Sequence, residues 1–232
     1  MLNRSDKNPL ISICIPTFNR CNKVYKLVND ILLCPNQEIE VVVLDNCSTD
    51  ETASLLKKID DKRFSFVQNE QNIGGELNIL KVIGLAAGNF AVLCLDKDYL
   101  DYHSIEELVK RINLDSEVVF GRCTLNIQKK EEDIIYDKGY SSVVKMSYSS
   151  SHPTGMFFKT REYVNLSILK EIFGGKEKFP FYTDIINAEM AMIGKSQLIN
   201  LPAFYTESEE EASVSISFTY DVNNIYFSLI YH

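Results

Sequence analysis

The residues with the clearest chemical potential are Asp96-Lys97-Asp98, which follow the apolar run Phe90-Ala91-Val92-Leu93-Cys94-Leu95. A buried strand there would deliver two carboxylates, one residue apart, to the edge of a sheet. Carboxylates this close repel one another unless a cation lies between them, and hard divalent cations such as Mn2+ or Mg2+ take oxygen ligands and share them with phosphates. An acidic turn after a strand is the plainer account of the same residues. What surrounds the pair has to decide between the two.

Hydrophobic periodicity supplies those surroundings. Leu10 to Ile15 reads as a strand, and Val24, Leu27, Val28 and Ile31 fall at i, i+3, i+4 and i+7, one face of a helix. Glu40 to Leu44 is the next strand. It is followed by Ser48-Thr49-Asp50-Glu51, which reads as a capping box opening a helix with Thr52, Leu55, Leu56 and Ile59 inward. Phe64 to Gln68, Glu76 to Ala87 and Phe90 to Leu95 continue as strand, helix and strand, and Ser104 to Glu107 starts a helix carrying Ile105, Leu108, Val109 and Ile112. Such alternation predicts an α/β fold with a mostly parallel sheet and right-handed crossovers. In open sheets of this kind ligands bind outside the carboxyl ends of the strands. Pro16 to Arg20, Asp45 to Ser48, Asn69 to Gly75 and Asp96 to Asp98 all fall in those loops.

The second half is less periodic. Glu117 to Phe120 and Thr154 to Lys159 read as strands, Tyr163 to Phe173 and Ile185 to Ile193 as helices, and Ser147 to Ser151 and Gly174 to Lys176 as loops. No linker divides the chain, so residues 1–232 read as one domain, with residues 10–115 its regularly alternating half and 116–232 its less regular half. The end at Tyr231-His232, just after an apolar segment, has the look of a truncation.

A formal net charge of -8 and a pI near 5.0 disfavour non-specific nucleic-acid binding, which needs a basic surface. The six cysteines include no Cys-x-x-Cys pair, and reduced thiols in a cytoplasmic protein are the simplest reading. The amino terminus lacks a signal-peptide apolar core and no stretch is long enough to span a bilayer, so a membrane role would be peripheral. A dehydrogenase is disfavoured, because no Gly-x-Gly-x-x-Gly follows the first strand.

Ile13 to Arg20, Val43 to Asp50, Asn72-Ile73-Gly74-Gly75 and Asp96-Lys97-Asp98, in this order and spacing, resemble family 2 of the nucleotide-sugar glycosyltransferases, whose fold is GT-A. Asn72 to Gly75 with Asn78, followed by Ala87-Gly88-Asn89-Phe90, is most similar to the bacterial members that build O-antigen and capsule, including abequosyltransferase-like enzymes. The resemblance implies transfer of a sugar from a nucleotide diphosphate, UDP first among them, to a glycan or lipid-linked glycan acceptor at the inner face of the membrane, with inversion. Mn2+ or Mg2+ would be the cofactor. It further implies that Pro16, Thr17, Asn19 and Arg20 lie against the nucleotide and that Asp45 bonds the base or ribose. Asn72, Gly74, Gly75 and Asn78 would close over the nucleoside, Asp96 would bind the ribose or a metal-bound water, and Asp98 would ligate the metal.

The acceptor hydroxyl then needs a base. Asp184 is the candidate, where the family commonly has an acidic pair and this chain has Thr183-Asp184, and Glu189 one turn on is the fallback. His152 to Phe157 resembles the segment lining the acceptor side, and His152 itself reads as a loop histidine rather than a ligand. Tyr220, Tyr226, Phe227 and Tyr231 would serve an acceptor, a membrane surface, a homodimer contact or the core. Two departures, Lys97 between the aspartates and Thr183 in place of an acid, leave a rival open: a nucleotide-sugar-binding scaffold of the same fold without activity.

Overall fold

The computed structural model describes residues 9–100, 102–112, 115–123, 132–147, 152–175, 182–201 and 204–206. The expected loops at 148–151 and at Lys176 and the aromatic tail from Ser217 lie outside them. The first half alternates as expected: β1 Ile11–Thr17, α1 Cys21–Leu32, β2 Ile39–Asp45, α2 Thr52–Leu56, β3 Phe64–Gln68, α3 Gly75–Ile83, β4 Phe90–Leu93, β5 Asp98–Leu100 and α4 Tyr102–Arg111. The second half contributes β6 Val118–Cys123, β7 Ile134–Tyr136, α5 Tyr140–Ser147, β8 Met156–Lys159, α6 Thr160–Tyr163, α7 Ser167–Phe173, α8 Tyr182–Ile193, β9 Lys195–Ile199 and β10 Phe204–Thr206.

Eight strands form one sheet in the order β3-β2-β1-β4-β8-β6-β9-β7. The ladders β1 to β2, β1 to β4, β2 to β3 and β6 to β9 are parallel. The exception at the centre is β8, antiparallel to both β4 and β6. Because β8 reverses twice, β4 and β6 point the same way, and the carboxyl ends of β1, β2, β3, β4 and β6 share one edge. Beyond it β5 and β10 pair as a separate antiparallel ribbon, with Thr206 opposite Asp98.

Side chains alternate across this sheet into two apolar layers. Ile11, Ile13 and Ile15 of β1 face Val24, Leu27, Val28 and Ile31 of α1 together with α4, whereas Cys14 and Leu44 face α3 and the helices of the second half. Full burial of each large aliphatic residue contributes about 1.5–3 kcal/mol, so the buried face of α1 is its main anchor. Gly121 on β6 allows a close crossing: a Cβ there would lie 2.1 Å from the Gln197 carbonyl oxygen and 2.4 Å from Phe157 Cζ. Strands β6, β8 and β9 meet at this residue.

Four local expectations need correction. The capping box does not form. Ser48 turns back to Asp45, and Asp50 starts the helix instead, accepting from Thr52 N at 3.0 Å and Thr52 Oγ1 at 2.5 Å. The same carboxylate accepts from Cys21 N at 3.1 Å, so one acid caps both α1 and α2. The helix read over Tyr163 to Phe173 is two, α6 and α7, because Leu166 is extended (φ -58°, ψ 137°). The helix read over Glu76 to Ala87 ends at Ile83, before Gly84. The strand read to Leu95 pairs as β4 only to Leu93, since Leu95 N donates instead to Thr154 Oγ1 at 3.0 Å.

The first half is further clamped by Arg63. It donates through Nε (3.1 Å) and Nη2 (2.8 Å) to Asp61, and through Nη2 to Leu32 O (2.7 Å) and Nη1 to Cys34 O (2.5 Å), closing the carboxyl end of α1. The Arg63 hydrogen bond holds the Asp61 carboxyl below its ordinary range, against the opposing effect of burial. A carboxyl lowered on folding stabilises above its unfolded pKa and loses that contribution as pH falls through the folded one. Arg63→Ala is therefore expected to cost about 2–4 kcal/mol in urea unfolding at neutral pH. The deficit relative to wild type shrinks in the acid range, and a variant as stable as wild type at pH 7 contradicts the clamp.

Candidate functional site

At the shared sheet edge the two aspartates turn toward different loops. Asp96 faces the loop after β1: Thr17 Oγ1 donates to its Oδ2 at 2.8 Å, and Arg20 Nη1 lies 3.6 Å from its Oδ1. Asp98 faces the second half, where Thr154 Oγ1 donates to its Oδ2 and His152 Nε2 lies 3.4 Å away. Burial pushes the Asp96 carboxyl above its ordinary range, and Arg20, Thr17 and the Phe18 N-H only partly offset it. The Asp98 side chain is 1% exposed, and its Oδ1 is buried without a hydrogen-bond partner among the described residues. A buried carboxylate oxygen left this way carries a desolvation cost that a ligand would relieve.

Among the described residues no three His, Cys, Asp or Glu side chains gather closely enough to hold a metal alone. That does not conflict with a hard divalent cation, which keeps waters or phosphate oxygens in most of its positions. Asp98 Oδ1, with Asp96 two residues away, is an all-oxygen donor set that fits such an ion. Lys97 is half-buried and makes no ion pair with either aspartate among the described residues.

The β2 loop sits beside them. Asp45 is wholly buried, and its carboxylate accepts from Ser48 Oγ, from Ser48 N (3.1 Å) and from Gln68 Nε2 (2.9 Å). Ser48 Oγ in turn accepts from Asn19 N at 2.7 Å, and Asn19 Oδ1 accepts from Thr49 N at 2.8 Å. Asn19 adopts φ 52° to do this, a left-handed conformation that asparagine tolerates. Pro16 lies within β1 opposite Leu44. The loops after β1 and β2 are thus stitched into one surface.

A ladder of amides shapes the third loop. Asn46 Oδ1 accepts from Asn69 Nδ2 (3.1 Å) and Ile73 N (2.9 Å), while Asn46 Nδ2 donates to Asn72 Oδ1 at 2.9 Å. Asn72 Oδ1 also accepts from Gly74 N at 2.8 Å. Asn78 bridges Asn69 (2.9 Å) and Leu44 O (3.1 Å), and Lys81 donates to Asn69 at 2.7 Å. Gly74 at φ 88° makes the bend into α3, and nothing within 4 Å would crowd a side chain at Gly74 or Gly75, so both face open space. The loop is a backbone platform whose polar groups are committed from below.

The two acids proposed from the second half separate. Asp184 lies in the first turn of α8, exposed yet crowded enough for desolvation to raise its carboxyl. The α8 start reaches the site edge: Glu76, just after Gly75, accepts from Tyr182 N, and Thr183 lines a small cavity with Glu76, Leu93 and Pro153. Glu189 instead accepts from Ser167 Oγ and from Ile168 N at 3.4 Å, binding the start of α7. It lines a different groove, with Glu162 and Met192.

Four participants carry no such role in the sequence alone. Asn46 and Asn69 look like ordinary loop residues until the parallel register places β2 and β3 side by side. Thr154 is far from Asp98 in sequence, and only the reversal of β8 joins them. His152 was read as a loop histidine; it is in a loop, but that loop abuts Asp98. All six cysteines are free; Cys14, Cys34, Cys94 and Cys123 are buried, and Cys21 and Cys47 are half-buried.

Comparison with known proteins bears on this arrangement. The family model described as Glycosyl transferase family 2 matches residues 12–167. The chain is 27% identical over 156 residues to the GalNAc(5)-diNAcBac-PP-undecaprenol beta-1,3-glucosyltransferase of Campylobacter jejuni, covering 65% of this chain and 50% of that one. It is 33% identical over 122 residues to abequosyltransferase RfbV of Salmonella typhimurium, covering 49% and 35%. The fold is that of the mannosyltransferase PcManGT of Pyrobaculum calidifontis, solved with GDP-Man and Mn2+, at a TM-score of 0.58 and 19% identity over 85% of this chain and 56% of that one. The chain therefore spans about half the length, or less, of the curated relatives described.

The raised Asp96 carboxyl has a stability consequence. A carboxyl raised on folding is disfavoured in its charged form, so the ionised group subtracts stability above its unfolded pKa and ceases to do so at low pH. Asp96→Asn is expected to raise the thermal midpoint at pH 7 without divalent metal, with the gain fading as pH falls toward 4. A midpoint lowered equally at both pH values would show instead that the carboxylate is a net stabiliser.

Proposed function

The chain belongs to glycosyl transferase family 2, and from that premise we propose that it transfers a sugar from a nucleoside diphosphate donor to a glycan or lipid-linked glycan in bacterial surface-polysaccharide assembly. The observation that carries the reading is the unpartnered Asp98 Oδ1 at the sheet edge, two residues from Asp96 and flanked by three stitched loops.

The residues divide the work as follows. Asp98 and Asp96 would hold Mn2+ or Mg2+, which when bound supplies charge neutralisation for a departing diphosphate. Thr154 orients Asp98, and Thr17 and Arg20 orient Asp96. The Asn72 to Gly75 platform offers backbone approach to the nucleoside, and the Asn46, Asn69 and Asn78 ladder keeps it rigid. Asp45, whose carboxylate already accepts from Ser48 and Gln68, would bond a base or ribose only by sharing its oxygens. UDP is the nucleotide the motif resemblance favours, and GDP is the comparison probe.

Asp184, at the start of α8, would take the proton from the acceptor hydroxyl as that oxygen bonds to the anomeric carbon and the nucleoside diphosphate leaves with its bonding electron pair. A carboxyl raised by desolvation is suited to accepting a proton. Glu189, bound to the start of α7, is the weaker alternative. Of the two departures that favour an inactive scaffold, Lys97 pairs with neither aspartate, while Thr183 still leaves Asp184 as the lone acid there. Among the described residues no helix is long and apolar enough to cross a membrane. Peripheral contact with a lipid-linked acceptor and a homodimer are both part of this reading.

Calorimetry with UDP and GDP, with and without Mn2+, followed by donor-hydrolysis and transfer assays, tests this. Asp98→Asn is expected to remove the metal dependence of nucleotide binding and to lower turnover by about two to three orders of magnitude. Asp184→Asn should bind nucleotide normally but lose about 10²- to 10⁴-fold in transfer. Unchanged turnover in Asp98→Asn sinks the metal assignment, and unchanged transfer in Asp184→Asn removes it as the base.

A further inference from the structure

Arg122 is unexplained by the donor site. It lies near the carboxyl end of β6, opposite Met156 on β8 and Leu198 on β9, and the next residue, Cys123, donates its N-H to Gly155 O at 2.9 Å. It is therefore at the same edge as the 152–154 segment that holds Asp98. Phe120, two residues earlier, packs in the layer with Met156, Ile186 and Met190, so Arg122 points to the α8 side of the sheet.

No carboxylate among the described residues pairs with this guanidinium. Its Nε is buried without an acceptor, and burial makes the charged form less favourable there, offset only through Tyr136. Arginine stays protonated under such conditions, so the charge is retained at a cost and calls for an anion. Opposite lies α8. Its carboxyl end meets the amino end of β6, where Lys195 N donates to Glu117 O at 2.9 Å, so its first turn, with Asp184, lies over the carboxyl edge. One turn beyond Asp184, Asn187 is 3% exposed and its Oδ1 has no donor among the described residues. A buried donor on β6 and a buried acceptor on α8 thus both remain unused in the layer between the candidate base and the sheet.

We infer that Arg122 binds a phosphate oxyanion of the acceptor, as in the diphosphate of a lipid-linked glycan. This rests on the reading of Asp184 as the acceptor-side acid, but not on the metal assignment. The arginine fork matches phosphate bidentately, and Arg122 belongs to β6 whereas Asp96 and Asp98 follow β4, so acceptor and donor phosphates would meet different cations. A uronic carboxylate shares the chemistry, and the test distinguishes it.

The probe is inorganic pyrophosphate, titrated without divalent metal, which pyrophosphate would chelate, into protein saturated with UDP, with glucuronate in a parallel titration. Wild type is expected to bind pyrophosphate in preference to glucuronate. Arg122→Gln should bind it at least about tenfold more weakly and Arg122→Lys to an intermediate degree, both with unchanged UDP affinity. The UDP titration reports that the variants are folded, and Arg122→Lys, which keeps the charge, covers the case in which Gln perturbs β6. Pyrophosphate bound equally by all three proteins, or glucuronate preferred, overturns the inference. A wild type that responds to pyrophosphate through Arg122 but not to UDP would overturn the donor reading and leave this one standing.

Discussion

Two carboxylates one residue apart cannot share one environment without a cation, and the structure separates them by giving each to a different half of the chain. Asp96 is held by Thr17 and Arg20 from the first βα loop, and Asp98 by Thr154 and His152 from the segment before β8. The Asp-x-Asp turn is consequently the knot between the first half of the chain and the second. It depends on β8 running antiparallel between β4 and β6, which brings Thr154 to the end of β4. With β8 parallel, the second half would end at the opposite edge and Asp98 would meet solvent.

The same economy governs the loops. Loop backbone that must approach a ligand cannot satisfy its own amides with regular structure, so they are met from beneath. Asn46 does this for Ile73, and Asn72 for Gly74, while Asn69 and Asn78 tie the ladder to β2. Buried polar networks of this kind are stabilising only when fully satisfied, which explains why so many amides cluster in one place. The cost appears at Asp96 and Asp98, where desolvation is left partly uncompensated. Unrelieved cost at a site edge is the signature of a binding surface more than of a stability device.

Legibility followed sequence distance. Helix α1 and strands β1 to β4 were readable because their apolar faces repeat within a few residues, and the carboxyl-edge rule then placed four loops together without coordinates. The failures were local or long-range competitions. Ser48 satisfied every rule for a cap, yet Asp45, three residues back and buried, had the stronger claim on its hydroxyl, and Asp50 took the capping role. Thr154 and Asn46 had no local signal, since their partners become neighbours only through sheet order. The short strands β5, β7 and β10 carry too few residues for a period to register.

Charge placement completes the argument. A chain of net charge -8 repels phosphates at long range, so it can select them only where cations are fixed by packing. Arg20 is committed toward Asp96, and Lys97 lies between the aspartates without pairing to them. Arg122 stands apart, on the α8 face and without an acid. In an acidic protein a half-buried arginine with no counter-ion among its described neighbours is costly, and the cost is tolerable where binding returns it. The polar atoms left unsatisfied at the sheet edge are therefore divided by sign: a carboxylate oxygen at Asp98 that suits a cation, and a guanidinium at Arg122 that suits an anion. They stand on different strands, β5 and β6, and on the proposed reading that division would let one edge serve two negatively charged partners without a contest for one cation.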